Sequence, residues 1–485
     1  MSQMKYFTDY FRIIIWRFQV TLLILFPYIC NFRKIDIDTY LIKSTMELEP
    51  ILLRSQKKLT GKLSSRIKPV EETIKTILPV SSNIGITRLA DITNMDILGI
   101  PNFSAVLPGT EDYIWVYSGK GPTRMDAKAS ALMESIERYS SLPSGNRNKM
   151  IQGSYKEVSK VSKILHPSNV VEPMILEYDD EMIMDFLSGY DLVNNDRILI
   201  PAPLALFRYS PKPPAINPFA YHHTNGLASG NVLEEAICHS LCELIERDAT
   251  SLAELNASAL PYNFLRTMTK YLSDNGLEID PVDGTEFVDD DSKYPDVDIS
   301  NIDFKPISNL VKKFNDAKIP LIIKDITSPI GVPTFNASSI EWITEDYGYL
   351  AEGHGTHPDA RIALLRAITE VSQTRAANIQ GARDDLRKIS YGNSNSDEKK
   401  TWQFMKSKNT IQFSEIKSFI HDDILDDINF ILSRLVSNGL KQVIVVDLTN
   451  PQIMIPVVRT IVPGLETFKI TKAIIGKRGR ESFSL

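Results

Sequence analysis

Three segments of the sequence carry acidic or amide side chains in pairs that are three residues apart. The pairs are Glu134 and Glu137, Glu243 and Glu246, and Glu370 and Gln373. Residues at this spacing lie side by side on an α-helix, and the apolar residues around each pair indicate helices that are mostly buried. Buried carboxylates are costly unless a cation compensates them, and oxygen donors suit Mg²⁺ better than zinc. The pattern predicts a magnesium site where three helices meet.

Two more polar residues fall on the same helical faces. Glu235 lies 11 residues before Glu246, a separation that returns to nearly the same angle at 3.6 residues per turn. Ser130 stands in one row with Glu137 on the first helix. Arg138 and its counterpart on the second helix can neutralise only some of these acids, so the need for a divalent cation remains.

Short stretches that contain glycine precede the three helices. They are Gly119-Lys120-Gly121, Ser229-Gly230-Asn231 and Gly353-His354-Gly355. Flexible backbone followed by a helix N-terminus can receive phosphate, and Lys120 adds a positive charge. Thr123 and Asn231 are candidate N-caps of the first two helices. None of these stretches is a P-loop, so they predict phosphate-binding loops without naming the kind of nucleotide site.

Helices and strands are mixed along the whole chain. Helices are predicted from about Arg124 to Tyr139, from near Asn231 to beyond Arg247, and from about Asp359 to Ile379. Strands are predicted at residues 114–117, 198–202, 321–327 and 442–449. This mixture predicts an α/β fold with mixed α+β sheets and helices, and it argues against an all-helical diphosphate lyase.

The composition limits the classes of binding partner and the cellular compartment to be expected. The 485 residues include 54 Lys and Arg against 60 Asp and Glu, which gives a net charge of -6. No broad basic surface is available, so nucleic acid is not the expected partner. Three cysteines cannot build a disulfide framework in a chain of this length, which indicates a reducing compartment such as the cytoplasm.

The first 45 residues differ from the rest. An apolar run from Val20 to Cys30 is too short to span a bilayer, and a membrane role is therefore not expected. The segment could lie on a membrane surface, form a buried helix, or be upstream sequence ahead of a start at Met46. The third reading is favoured because Met46 opens an ordinary polar pattern. Residues 46–80 are then a helical N-terminal segment, and residues 81–485 are the catalytic domain.

Three motifs, in order, resemble those of the YcaO family. The first is Gly119-Lys120-Gly121 with Ser130, Glu134, Glu137 and Arg138; the second is residues 225–231 with Glu235, Glu243 and Glu246; the third is His357-Pro358 with Glu370, Gln373 and residues 380–385. The likeness covers roughly residues 80–465. The resemblance implies a YcaO-type fold that binds ATP with Mg²⁺. It also implies phosphorylation of a peptide amide oxygen, after which a nucleophile attacks the carbonyl carbon and phosphate leaves.

Residue roles are carried over from the resemblance by position. The implied metal ligands are Glu134, Glu137, Glu235, Glu243 and Glu246. The implied nucleotide contacts are Arg88, Lys120, Ser130, Arg138, Asn231, Glu370 and Gln373. Glu243, Glu246 and Arg383 are the candidate catalytic residues, with Arg383 facing the γ-phosphate or the peptide.

The reaction is narrowed by the end of the chain. Residues 455–459 and 462–466 resemble methanogen members, and the Pro-rich tail of azoline-forming members is missing from this sequence. The resemblance then implies thioamidation of a glycine in the methyl-coenzyme M reductase alpha subunit, with a TfuA-like partner and a homodimeric enzyme. An azoline-forming cyclodehydratase and a non-catalytic accessory factor for ribosomal protein methylthiolation remain as alternatives.

Three more residues of the second helix could carry chemistry. Cys238 and Cys242 are four residues apart beside the acids, and a sulfur-carrying role is conceivable for them. Buried cysteines are more often small apolar fillers, and that is the expectation here. His239 is likewise expected to be a satisfied core group rather than a base.

Overall fold

A computed structural model describes most of the chain after residue 49. The described residues are 50–60, 63–112, 114–259, 271–276, 294–344, 347–382, 391–393 and 402–482. The N-terminal 45 residues and Arg383 therefore lie outside the described part. Within that part, no helix combines the length and the apolar character that crossing a bilayer requires.

Six helices of 12 or more residues run through the described part. They are α1 (Val70–Asn83), α2 (Arg124–Ser140), α3 (Leu233–Glu254), α4 (Lys305–Asp316), α5 (Ala360–Gln380) and α6 (Ile424–Ser437). Helices α2, α3 and α5 confirm the three helices predicted from the acidic pairs. The helix expected over residues 46–80 differs, because in the described residues it begins only at Val70, directly after Pro69. The preceding residues 50–60 and 63–69 are irregular.

The strands of the described part form three sheets. They are β1 (Arg88–Asp91), β2 (Asn102–Val106), β3 (Val116–Lys120), β4 (Ile151–Ser154), β5 (Ile183–Asp191), β6 (Asp196–Pro201), β7 (Leu227–Ser229), β8 (Asp296–Asp298), β9 (Leu321–Asp325), β10 (Thr334–Trp342), β11 (Tyr347–Thr356), β12 (Tyr391–Asn393), β13 (Thr410–Gln412), β14 (Ile444–Asp447) and β15 (Val457–Ile461). The sheet orders are β1-β2-β3, β12-β11-β10-β9-β8-β13, and β4-β5-β14-β15-β7 with β6 on β5. The mixture of sheets and helices confirms the predicted α/β class.

Strand β14 shows how one sheet supports two layers of helices. Ile444 and Val446 point into an apolar cluster that includes Ile74 of α1 and Ile136 of α2. Val445, between them, belongs to the cluster formed with α3 and α6 on the other face. The alternation places a fully apolar strand between two helical layers, as expected for a sheet covered on both sides.

Each acidic helix follows a strand, and glycines at those strand ends permit close packing. The prediction of phosphate-binding loops is wrong for Gly119 and Gly355, which lie within β3 and β11. A Cβ on Gly119 would stand 2.0 Å from the amide nitrogen of Ala131 in α2. A Cβ on Gly355 would stand 2.0 Å from the carbonyl oxygen of Ala363 in α5. These glycines let the helix backbone approach the strand, which fixes the depth of the carboxylates.

The two predicted caps behave differently. The Thr123 side chain accepts a hydrogen bond from the Asp126 amide at 3.2 Å, which confirms it as the cap of α2. Asn231 is not a cap, because α3 begins after Val232 and no side chain caps it. The Asn231 amide instead donates to the Glu235 carboxylate at 2.7 Å.

Removing the cap of α2 is expected to have a modest cost. In a Thr123→Ala variant the Asp126 amide loses its acceptor, so the free energy of unfolding should fall by about 1 kcal/mol. Thr123→Ser keeps a hydroxyl at this position and should recover most of that loss. Urea unfolding of the three proteins measures the difference, and an equal loss in both variants would contradict a capping role.

Candidate functional site

The three acidic helices line one cavity of about 1210 Å³. Eleven of the residues predicted from the sequence line it: Lys120, Ser130, Glu134, Glu137, Arg138, Asn231, Glu235, Glu243, Glu246, Glu370 and Gln373. Helices α2 and α3 supply most of them, and α5 supplies the last two. Side chains separated by more than 200 residues in the chain therefore meet in one space.

Helix α2 contributes an acidic pair with a partly compensating arginine. The Arg138 guanidinium lies 3.4 Å from the Glu134 carboxylate and 4.0 Å from that of Glu137. Burial raises the pKa of Glu137 well above its usual value; Arg138 opposes this rise, while the neighbouring Glu243 and Glu134 add to it. One guanidinium thus leaves the pair electrostatically unsatisfied.

Helix α3 contributes the second pair. Burial raises the pKa of Glu243, with Glu370 adding to the rise and Arg247 opposing it from 4.0 Å. Burial and the charge of Glu370 raise the pKa of Glu246 to about 7. Two carboxyl groups on one turn are therefore held in an environment that disfavours their ionised forms.

Helix α5 approaches the acids through two polar contacts with strand β3. Lys120 of that strand donates to the Glu370 carboxylate at 2.6 Å. Burial raises the pKa of Glu370, but Lys120 and Arg247 outweigh burial and hold it below its usual value. The Gln373 side-chain amide donates to the Ser118 carbonyl oxygen at 2.5 Å. The contacts join the third helix to the strand that precedes the first.

Glu235 is fully engaged in local hydrogen bonds. Its Oε2 accepts from both the backbone amide and the side-chain amide of Asn231 at 2.7 Å. Its Oε1 accepts from the backbone amide of Ile67 at 2.7 Å. Glu235 therefore anchors the irregular N-terminal segment to α3, and as a metal ligand it would have to exchange one of these bonds.

The donor set of the cavity fits a hard divalent cation. Of the predicted acids that line the cavity, Glu134, Glu137, Glu243, Glu246 and Glu370 are not held by backbone hydrogen bonds. Among the described lining residues there is no cysteine, and carboxylate oxygens are the ligands that Mg²⁺ prefers. The raised pKa values of Glu137, Glu243 and Glu246 show that the positive side chains present do not fully compensate these three acids.

Glu246 gives the metal-free protein a pH-dependent stability. A folded-state pKa of about 7 lies above the unfolded value near 4.5, so the folded state binds more protons between them. Stability should therefore fall as pH rises from about 4.5 to 7. Glu246→Gln, which mimics the protonated acid, should stabilise the protein at pH 8 by about 2 kcal/mol and leave it nearly unchanged at pH 4. Urea unfolding at both pH values, without Mg²⁺ or nucleotide, measures this, and an equal shift at both would contradict it.

Several residues that line the cavity were not predicted from the sequence. Arg366 lines it one helical turn before Glu370, and this i, i+4 spacing was a usable signal. The irregular segment contributes Ser64, Arg66 and Lys68, and α4 contributes a row of lysines along one side. Neither has a local sequence signal, because each reaches the site only through tertiary packing. The proposed domain boundary at residue 81 thus leaves out part of the cavity wall.

One predicted residue is not brought to the cavity, and another is not described. Arg88 is exposed on β1 and does not line the cavity. Arg383 lies outside the described residues. Arg88 lies on β1, an edge strand of the three-stranded sheet. Its side chain there is exposed to solvent and does not face the acids.

The expectations for the cysteines and the histidine of α3 have different outcomes. Cys238 and Cys242 are free and buried, as expected for apolar fillers. The expectation that His239 is a satisfied core group is wrong, because its side chain is exposed into the cavity. At helical spacing it shares the inner face of α3 with Glu235 and Glu243.

A second titratable cluster lies behind α3. Ligand atoms of Cys238, His357 and Asp427 lie within 4.8 Å of one another. Lys58 already pairs with the Asp427 carboxylate at 2.5 Å. The His357 Nδ1 accepts from the Asp359 amide, so its Nε2 carries the hydrogen and has no lone pair for a metal. The cluster is therefore built as an ion-pair network that docks the N-terminal segment.

The chain is similar to known proteins along most of its length. The family model described as YcaO cyclodehydratase, ATP- and Mg²⁺-binding, matches residues 118–466. A protein of Methanothermobacter thermautotrophicus is 33% identical over 417 residues, which are 85% of this chain and 97% of the relative. A protein in the tfuA 3′ region of Rhizobium leguminosarum bv. trifolii is 28% identical over 404 residues, or 81% of this chain and 87% of the relative.

A solved structure shares the fold. The structure of YcaO from Methanopyrus kandleri bound with AMPPCP and Mg²⁺ superimposes with a TM-score of 0.61 at 21% identity, covering 87% of this chain and 98% of that one. The matched family residues include the strand end that carries Lys120 and the three helices that carry the acids. The chain belongs to the YcaO family, whose members bind ATP and Mg²⁺.

Proposed function

We propose that this protein uses ATP and Mg²⁺ to phosphorylate a backbone amide oxygen of a protein, and that a sulfur nucleophile then converts the amide to a thioamide. The observation that carries the proposal is the cavity itself, in which five buried or half-buried carboxylates from three helices face one space with incomplete compensation. Such a site suits a metal-bound polyphosphate better than a neutral metabolite.

The residues of the cavity have two roles in this proposal. Glu134, Glu137, Glu243 and Glu246 hold Mg²⁺, and Glu235 joins them when it releases one of its backbone bonds. Lys120, Ser130, Arg138, Asn231, Glu370 and Gln373 surround the nucleotide. ATP supplies the phosphoryl group that makes the amide oxygen a leaving group. The role of Arg383, facing the γ-phosphate or the peptide, stays part of the proposal, whereas Arg88 has no part in it because it lies outside the cavity lining.

The proposed substrate is a glycine of the methyl-coenzyme M reductase alpha subunit. Two relatives support this choice: one comes from the methanogen Methanothermobacter, and the other is encoded in a tfuA region. A TfuA-like protein is the proposed partner for sulfur delivery. The proposal also includes a cytoplasmic homodimer, which size-exclusion chromatography with light scattering can test.

The second candidate is azoline formation on a ribosomal peptide, which the family description as a cyclodehydratase favours. Mass spectrometry of the substrate separates the two reactions, because thioamidation replaces oxygen by sulfur whereas cyclisation removes water. The protein should be incubated with ATP, Mg²⁺, sulfide and the glycine-containing substrate, with and without the TfuA-like partner. Loss of water would favour cyclisation, and nucleotide binding with an unmodified substrate would favour an accessory role.

A further inference from the structure

His239 occupies the middle of the acidic face of α3. Glu235 lies one turn before it and Glu243 one turn after it. All residues of α3 are described, and His239 is the only exposed one among them. Because it lines the cavity, this exposure is toward the site and not toward bulk solvent. No hydrogen bond or ion pair reaches its imidazole from the described residues.

The surroundings keep this imidazole neutral. The protein around the cavity withholds solvent from the His239 imidazole and lowers its pKa to about 3, and the positive charges of Arg366 and Lys120 contribute. Glu370 acts in the opposite direction. An anion placed among those cations would offset their charge and make the imidazole more basic. A neutral ring with a free nitrogen lone pair is thus poised to accept a proton once phosphates are bound.

The other titratable groups of the described lining are less suited to accept a proton. Glu134, Glu137, Glu235, Glu243 and Glu246 hold Mg²⁺ in the proposed function, and Glu370 is bonded to Lys120. His354 also lines the cavity, but it is buried and its Nε2 is hydrogen-bonded to the Asn336 side chain at 3.2 Å. Of the two histidines in the described lining, His239 is therefore the one whose ring has no hydrogen-bond partner.

We propose that His239 is the catalytic base that removes the proton of the attacking nucleophile. This inference rests on the proposed amide activation. As the sulfur–carbon bond forms, the carbon–oxygen bond to the phosphorylated oxygen breaks and phosphate leaves with that electron pair. The proton of the S–H group passes to the free imidazole nitrogen and then to solvent. A side-chain thiol or hydroxyl in the azoline reaction would lose its proton in the same way.

The activity test uses two variants and a matched control. His239→Gln should lower the rate of product formation about 100-fold. Its affinity for a non-hydrolysable ATP analogue with Mg²⁺, measured by calorimetry, should stay within about twofold of wild type. Imidazole in the buffer should partly restore His239→Ala. His166→Gln, which changes a histidine bonded to Asp180 outside the cavity, should behave as wild type. Unchanged product formation, a parallel loss of nucleotide affinity, or failure of imidazole to rescue would overturn the proposal.

A second measurement does not depend on a substrate. In protein labelled with ¹⁵N-histidine, the signal missing from His239→Gln should report a neutral ring at pH 7. It should move toward the protonated ring on addition of Mg²⁺ and the ATP analogue. A signal that does not respond would contradict the base role even if no substrate is modified. If the wild-type protein modifies no substrate but its His239 signal does respond, the proposed amide chemistry would be contradicted and the proton-accepting ring would not.

Discussion

Replacing Glu243 by glutamine is expected to lower substrate-dependent ATP turnover about 1000-fold while the protein stays folded. Glu243 interacts electrostatically with Glu137 of α2 and with Glu370 of α5, so its charge acts across the anionic space. A neutral amide cannot replace that charge as a cation ligand. Burial raises the pKa of Glu243, so the amide removes an unfavourable ionisation and the melting temperature should not fall. Phosphate release and thermal unfolding measure the two effects.

The matched control is Glu157→Gln, which makes the same chemical change on an exposed side chain outside the cavity. It should leave turnover and melting temperature unchanged. Wild-type turnover in Glu243→Gln would mean that the acidic cavity is not the site of phosphoryl transfer. A large drop in melting temperature would mean that Glu243 is ionised and compensated in the folded state, contrary to the environment described above.

Gly119→Ala is expected to lower the free energy of unfolding by about 3 kcal/mol. The new Cβ would stand 2.0 Å from the Ala131 amide nitrogen and 2.3 Å from the Ala127 carbonyl oxygen. Both are backbone atoms of α2, so no side chain can rotate away and the helix must shift. That shift would also move the acids of α2, and ATP turnover should fall with stability. Chemical unfolding measures the loss.

Gly145→Ala serves as the control for this overpacking. Its nearest heavy atom would be the Asn450 side-chain nitrogen at 3.6 Å, an ordinary contact. The free energy of unfolding should change by no more than about 0.5 kcal/mol. Equal losses in the two variants would attribute the effect to glycine replacement in general and not to the strand–helix contact.

The acidic helices could be predicted from the sequence because their signal is local. The pair Glu243 and Glu246 shares a face at any helical geometry, and the apolar residues around it determine that this face is largely enclosed. Mg²⁺ could be predicted as the metal because the oxygen donors are likewise read directly from the residue types. Confirmation of Thr123 as a cap shows that short-range hydrogen bonding was equally readable.

The other parts of the site depend on distant partners. Arg66 and the lysines of α4 reach the cavity only because separate layers pack together, and no spacing in the sequence encodes this. His239 was misjudged because helical periodicity gives the direction of a side chain but not whether a core or a cavity lies there. Gly119 was assigned to a flexible loop because composition cannot distinguish flexibility from close packing.

The pairing of β7 with β15 has a consequence for protein synthesis. Strand β7 leads into α3, yet its ladder partner includes Arg459, more than 200 residues later in the chain. A growing polypeptide on the ribosome can make the first acidic helix early but cannot seat the second until this late strand has emerged. The acidic cavity is thus complete only when translation is nearly finished, and a prematurely terminated product would lack the strand that supports its second helix.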